Sequence, residues 1–172
     1  AEELGFSLRA YIAAPGFGHV LGFLHYTARD SHGFYYRKDY EAGAGVEQYY
    51  NYLLKGKTGL RIIETDALGN VFSANVIDPP ESGRDLHLSI DARIEERLHD
   101  IVSRVAREED YLGGAGAIMD IESGEILALV SYPEYDPNIM TSGDDGEQIA
   151  RWNSDARTPF LNRAVSGLYT PG

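Results

Sequence analysis

The sequence predicts a mixed α/β or α+β fold, and three observations carry that reading. The first is a hairpin pattern at Gly114–Pro133. There two apolar runs, Ala117–Ile121 and Ile126–Val130, flank the polar break Glu122-Ser123-Gly124-Glu125. A short Gly-containing break between β-prone runs signals a β-hairpin. The second is an amphipathic helix upstream, where Ile94, Leu98, Ile101, Val102 and Val105 recur at helical spacing. The third is another hairpin pattern, with Leu60–Thr65 and Asn70–Ile77 flanking Asp66-Ala67-Leu68-Gly69.

Taken in order, Phe6–Ala14 has β character and breaks at Pro15-Gly16-Phe17-Gly18. His19–Tyr26 reads as a further strand, and Ala28–Glu41 is aromatic and charged. Val46–Leu54 reads as a short helix, with Val46, Tyr49, Tyr50 and Leu53 on one face and Gly56 as its stop. The stiff Pro79-Pro80 pair, followed by Gly83, places a domain junction that separates 1–84 from 85–172. Leu86, Leu88 and Ile90 alternate with polar residues, so Asp85–Ile90 reads as a half-buried strand. Asp91 suits the N-cap of the amphipathic helix. Glu95 and Glu96 suit its dipole, and Gly113-Gly114 ends it.

In the central hairpin the second run is apolar at every position. That predicts a strand covered on both faces, inside a larger sheet. Small residues at Gly113–Ala117 admit a close neighbour, and Pro133 ends the second strand because proline has no N–H to donate. A polar loop follows Asn138, then a short helix around Glu147–Trp152.

Length and charge narrow the function classes. The 172 residues suffice for one ordinary domain or two small pieces. A net charge of −12 disfavours nucleic acid and anionic lipid as partners. The absence of cysteine excludes a Cys nucleophile, a Cys-ligated zinc site and an Fe–S cluster. No apolar run approaches the roughly 18–20 residues that span a bilayer, and no signal peptide opens the chain. A membrane anchor of a longer parent is expected upstream.

Isolated chemical candidates are weak. His19, His25, His32, His87 and His99 form no metal-spaced pair on one helix, so no metal and no cofactor is expected. The acidic Gly143–Glu147 loop lacks the EF-hand spacing. Gly16, Gly18 and Gly22 miss the dinucleotide spacing and lead into an expected strand. Ser123 and Ser131 have no Lys three residues on, so structural roles are expected for both.

A resemblance reaches further. Gly114–Pro133, with Tyr135-Asp136-Pro137-Asn138 after it, resembles the opening hairpin of the transpeptidase domain of penicillin-binding proteins. Leu161-Asn162-Arg163-Ala164-Val165-Ser166-Gly167-Leu168-Tyr169-Thr170-Pro171-Gly172 resembles the run that leads into that family's Ser-x-x-Lys motif. Two upstream motifs are similar to the non-catalytic pedestal of the class B members. Arg9, Tyr11, His19 and Gly22 stand at the spacings of one, with Ile12 and Ala14 in place of its Pro and Gly. Gly45, Val46 and Glu47, then Leu54, Gly56 and Gly59, match the other, with Ala42 departing from its first Gly. The spacing of Trp152, Asp155 and Pro159–Ala164 is more similar to the elongation branch than to the division branch.

The resemblance implies an α+β chain: a pedestal (dimerisation-type) segment over 1–84, then the first helix and β-hairpin of a transpeptidase domain over 85–172, incomplete. For the parent it implies acyl transfer. A Ser hydroxyl attacks a peptidoglycan stem peptide, a Lys one helical turn on manages the proton, and backbone N–H groups hold the oxyanion. Stem peptides and β-lactams are therefore ligands of the parent alone. No catalytic residue is expected here. Lys57-Thr58-Gly59 matches the family's Lys-Ser/Thr-Gly motif by letters but lies in the pedestal region. Arg9, Tyr11, His19, Gly22, Gly45, Glu47, Gly56 and Gly59 are the expected structural or interaction residues of the pedestal. His19 is expected to be partly buried and hydrogen-bonded. Asn162 and Arg163 line the approach to the missing site, with Arg163 expected to pair with a carboxylate or cap backbone carbonyls. The implied partner is a membrane glycosyltransferase of the cell-wall machinery on the extracytoplasmic face of the inner membrane; a homo-oligomer is possible. The alternatives are a β-lactamase or penicillin-sensor relative, or a structural interaction scaffold. The first two share the hairpin but have no need of Arg9–Gly59.

Overall fold

The computed structural model describes residues 9–169 apart from 27, 30, 33, 34, 38, 39, 58, 67 and 69. The start of the Phe6–Ala14 strand, Thr58 of the Lys-Thr-Gly letters, turn residues Ala67 and Gly69, and Thr170-Pro171-Gly172 lie outside the described residues.

The chain runs through α1 (Gly18–Leu21), β1 (Leu24–His25), β2 (Ala28–Arg29), β3 (Tyr35–Arg37), β4 (Glu41–Ala42), α2 (Gly45–Tyr49) and α3 (Asn51–Leu54). Then come β5 (Leu60–Thr65), β6 (Val71–Asp78), α4 (Ala92–Glu108), β7 (Gly114–Met119) and β8 (Ile126–Tyr132). It ends on α5 (Pro137–Ser142), α6 (Gly146–Ser154) and α7 (Arg163–Ser166). Among the described residues the strands pair only in antiparallel twos: β1–β4, β2–β3, β5–β6 and β7–β8. The fold is α+β.

Both predicted hairpins form. In β7–β8, Gly114 pairs with Tyr132 and Ala117 with Leu129. Ala128, Val130 and Ser131 are buried, so the middle of β8 is covered as its composition predicts. The larger sheet is not present among the described residues; cover comes from α4 and from the chain after Pro133. The small residues of β7 explain how α4 sits so close. A methyl group on Gly114 would lie 2.9 Å from Val102 Cγ1, and one on Gly116 would lie 3.1 Å from Leu98 Cδ1. Gly116→Val is expected to push α4 off the hairpin and destabilise the chain by about 1–3 kcal/mol. Urea unfolding checks this, with an unchanged midpoint as the contrary result.

Helix α4 is capped as predicted: the Asp91 carboxylate accepts from the N–H groups of Arg93 and Ile94. Those bonds and the Arg93 guanidinium hold the Asp91 carboxyl at about 2. Two details differ from the sequence reading. The helix ends at Glu108 with Glu109 as its C-cap, ahead of the Gly pair, because Asp110 turns the backbone to φ 54°. Glu95 does not serve the helix dipole from the surface. It is fully buried and accepts the Leu129 N–H of β8 at 2.7 Å.

Other segments depart further. His19–Tyr26 splits into a helical turn and a two-residue strand, because Gly22 at φ 72° breaks the chain between them. Within the expected Phe6–Ala14 strand, residues 9–14 form no strand. Nor does Asp85–Ile90, although Ser89 Oγ donates to the Ile126 carbonyl and the Asp91 N–H to that of Leu127. Those bonds lay this segment beside the outer edge of β8 without a ladder. The polar loop after Asn138 is helix α5, with Asp136 as its N-cap and Pro137 at its first position. The Val46–Leu54 helix breaks at Tyr50, and Tyr49 is exposed where the periodicity faced it inward; the buried residue on α2 is Glu47.

Candidate functional site

The structure joins its two halves through a strap. Residues 9–18 have no ladder, so their backbone groups need other partners. Side chains from the segment after β8 supply them. The two carboxylate oxygens of Glu134 accept the N–H groups of Gly16 and Gly18, each at 2.8 Å. Asn138 reads Tyr11 on both sides, accepting its N–H at 2.9 Å and donating to its carbonyl at 3.2 Å. Thr141 Oγ1 accepts the N–H of Leu24 at 3.3 Å. His99 of α4 approaches Glu134 Oε1 at 3.4 Å. Gly16, at φ 97°, lies on Glu95 and His99: a methyl group there would meet Glu95 Cγ at 3.1 Å.

Aromatic rings fill the space beneath. Tyr135 makes edge contacts with His19 and Phe23 at centroid distances of 5.0 and 5.5 Å, and touches Phe160 at 5.4 Å. Burial, with the Glu134 charge beside it, raises the Tyr135 phenol well above its ordinary value.

Arg9, Tyr11 and Glu47 converge at the end of the strap. Arg9 Nε lies 3.3 Å from Glu47 Oε1, and Arg9 Nη2 donates to the Leu54 carbonyl at 2.9 Å. The Arg9–Glu47 contact is one of charge rather than an aligned hydrogen bond, since Arg9 Nε and Glu47 Oε2 are buried without a hydrogen-bond partner among the described residues. The Tyr11 hydroxyl reaches Glu47 at 3.4 Å. Its burial, reinforced by the Glu47 charge and eased by a hydrogen bond with Thr141, lifts its pKa to about 12. Glu47 is thus a buried partner, in contrast to an exposed first-turn carboxylate.

The glycines of the two motifs mark backbone crossings. Gly22 and Gly45 pack against each other, both at positive φ, and a methyl group on Gly22 would run into the Ala44 carbonyl. Gly56, at φ 66°, ends α3 beside Glu81 and Gly83, where Lys57 and Glu81 form an isolated bridge and a 2.8 Å ion pair. Gly59 abuts Asp78 and Pro80.

His19 is buried and its Nε2 stands 3.5 Å from the Pro133 carbonyl. Burial holds its pKa below the ordinary 6.5, against the pull of the Pro133 and Pro159 carbonyls and with help from the Arg163 charge. The unfolded chain therefore takes up this proton first. The stability contributed by neutral His19 is whole above about pH 6.5 and is lost as pH falls through the lowered folded value. Glu95 has the opposite sign. Burial raises its carboxyl, so its contribution is present below the ordinary 4.5 and is lost as pH rises through the raised value. Between about pH 8 and 5, the His19 contribution lowers the thermal midpoint while that of Glu95 raises it, so His19→Gln is expected to lose less midpoint on acidification than the parent chain. An equal slope in the variant counts against this.

Asn162 caps α7, and Arg163 caps carbonyls and pairs with no carboxylate among the described residues. Its guanidinium donates to the carbonyls of Arg157 and Thr158 at 2.5 and 3.3 Å. Its backbone N–H donates to Ser131 Oγ at 2.9 Å, and that hydroxyl donates onward to Leu161. Ser131 is therefore a buried tie between β8 and α7. Ser123 donates to Asp120 in the hairpin turn. No group of three or more metal-ligating side chains occurs among the described residues.

Glu134, Asn138, Thr141 and His99 were missed by motif reading. Asn138 stood within a noticed run, but nothing local signals that its amide reads a backbone 127 positions away.

The small two-stranded sheets ahead of the β7–β8 hairpin fall within a module similar to one found in penicillin-binding proteins. Residues 7–88 match the family model described as Penicillin-binding Protein dimerisation domain. Peptidoglycan D,D-transpeptidase MrdA of Escherichia coli K12 is 29% identical over 99% of this chain and 27% of its own length. MrdA of Acinetobacter baumannii is 34% identical over 95% of this chain and 24% of its own. The structure of penicillin-binding protein PBP2 of Helicobacter pylori in complex with MreC superposes with a TM-score of 0.69 at 30% identity, over 95% of this chain and 30% of that one. A peptidoglycan synthase complex described as coordinating polymerization and crosslinking gives a TM-score of 0.69 at 26% identity, over 90% of this chain and 29% of that one. Residues 7–88 thus carry the match to the penicillin-binding protein dimerisation domain, and nearly the whole chain is similar to class B, elongation-type penicillin-binding proteins. The chain spans about a quarter of the length of the curated relatives it matches.

Proposed function

We propose that this chain is the non-catalytic front part of a peptidoglycan D,D-transpeptidase that cross-links stem peptides through a serine acyl-enzyme. In this reading residues 1–84 are the pedestal and 85–172 open the transpeptidase domain. The observation that carries it is the strap: Glu134, Asn138 and Thr141 grip the backbone of Tyr11–Leu24. Whatever moves the pedestal moves the hairpin with it. That coupling suits a segment that sets the position of a catalytic domain. No Ser-x-x-Lys run occurs within the 172 residues, so the chain itself has no acylation site of the family's kind.

The partner in this reading is a membrane glycosyltransferase of the cell-wall machinery, at the extracytoplasmic face of the inner membrane. The neighbour described as a peptidoglycan synthase complex and the PBP2 structure solved with MreC support a shared assembly for the parent protein. No helix among the described residues is long and apolar enough to cross a membrane. Arg9, Tyr11 and Glu47 shape the docking segment, and Asn162 and Arg163 hold the approach to the nucleophile.

Two experiments test this. A fluorescent penicillin is expected to leave no stable adduct on the chain; a stable adduct overturns the non-catalytic assignment. In a detergent pull-down, the chain is expected to retain the glycosyltransferase and Arg9→Ala to weaken that retention. Undiminished binding by the variant removes Arg9 from the docking role.

A further inference from the structure

Among the described residues, β5 and β6 pair with each other and with no third strand. Their apolar side chains have little cover: Phe72 is 71% exposed, Val76 61%, Ile77 58% and Ile63 48%. A lone two-stranded hairpin is marginal in water, and a sheet needs three or more strands to hold itself. An unpaired, uncharged strand edge is a template for another strand.

The two edges differ. β5 carries Arg61 and Glu64 within its strand, and charges of that kind guard an edge. β6 carries no charge from Val71 to Ile77. That run, Val-Phe-Ser-Ala-Asn-Val-Ile, also reads as its own antiparallel complement about Ala74. Laid against a second copy, Phe72 meets Val76, Val71 meets Ile77 and Ser73 meets Asn75. Positions in each pair differ by an even number, so their side chains share a face of the sheet. Apolar side chains fall opposite apolar ones. The Ser73 hydroxyl falls opposite the kind of amide it already accepts from within the chain, Asn75 at 3.2 Å. Asp78, at the end of the strand, falls opposite Asn70 rather than its own copy. In a chain with a net charge of −12, copies repel unless the surfaces that meet are neutral, and this edge is neutral.

We infer that two copies of this chain pair through the outer edge of β6, antiparallel and in register about Ala74. The strands then run β5–β6–β6–β5 as one antiparallel sheet. Phe72, Ala74 and Val76 of both copies form a continuous apolar stripe on one face, flanked by Ile63, which pairs with Ala74 within each hairpin. The contact is isologous, so it closes at two copies, and the edges left outside are the charged β5 strands. The pedestal role proposed above needs no second copy, so a monomeric chain would leave that role standing.

The chain has no cysteine, so introduced cysteines report the register directly. Directly opposed residues of antiparallel strands have Cα atoms about 4.5–5.5 Å apart, within the span of a disulfide. Sedimentation of the full chain is expected to show a reversible dimer. On mild oxidation Ala74→Cys is expected to cross-link to itself. Ser73→Cys alone is expected to stay uncross-linked, and to cross-link when mixed with Asn75→Cys. Ala74→Lys and Ala74→Glu each place like charges at the twofold axis and are expected to weaken the dimer at least about tenfold. Mixed together, the two are expected to pair again. Ala74 is exposed, so both variants should fold, and recovery on mixing requires that they do. Leu168→Lys, at an exposed position elsewhere, is expected to leave the dimer unchanged. A monomer at every concentration, equal cross-linking at positions 73 and 74, charge variants that fail to pair on mixing, or loss of the dimer in Leu168→Lys overturns the assignment.

Discussion

Replacing Glu134 with alanine is expected to cost about 3 kcal/mol and to free the strap from the hairpin. The carboxylate holds two backbone N–H groups at 2.8 Å each and faces His99 at 3.4 Å. Its side chain is only 18% exposed, so water does not readily take over these bonds. Alanine leaves both donors in a crowded place without an acceptor. Glutamine is also expected to fail, because it places an NH₂ group where one of two N–H donors needs an oxygen. Asn138 and Thr141 still hold Tyr11 and Leu24, so the loss is local before it is global. Hydrogen exchange is the decisive measurement: the amides of Gly16 and Gly18 should lose protection before those of β8. Unchanged protection at both glycines would mean that Glu134 is not the clasp.

Gly22→Ala is expected to be the most damaging small substitution in the first half, at about 3–5 kcal/mol. Two costs add. Gly22 sits at φ 72°, where a side chain is strained. Its new methyl group would also meet the Ala44 carbonyl, and backbone cannot swing aside as a flexible side chain can. Gly124→Ala separates the two costs. That glycine has a similar φ of 76° but nothing within 4 Å of the new methyl group. It should therefore lose only about 1 kcal/mol. Urea midpoints for the pair settle the matter; similar losses would show that the Gly22–Gly45 crossing adds nothing beyond conformational strain.

These two sites show what was legible. Gly22 and Gly45 were visible as motif glycines, although their mutual contact was not. Glu134 carried no signal at all, since a lone glutamate after proline fits any surface loop. The β5–β6 and β7–β8 hairpins, helix α4 and the Asp91 cap follow from local patterns. In each, the groups that decide the structure lie within a few residues of one another. The same is true of α6, which forms over Gly146–Ser154 around the expected position.

The departures share a different cause. His19–Tyr26 was apolar enough for a strand, yet His19 and Phe23 turn toward Tyr135 and Leu24 bonds to Thr141. Asp85–Ile90 alternates as a strand should, yet it spends its bonds on the edge of β8 through Ser89 and Asp91. Glu95 looked like a dipole partner, yet Leu129 claims it. By itself, the sequence determined the hairpins, the long helix, its cap and the family resemblance, because period, turn chemistry and motif spacing are local. The tertiary structure alone decided the strap and the burial of Glu47 and Glu95. Those depend on which distant groups meet, and chain periodicity does not encode partners 34 to 127 positions away.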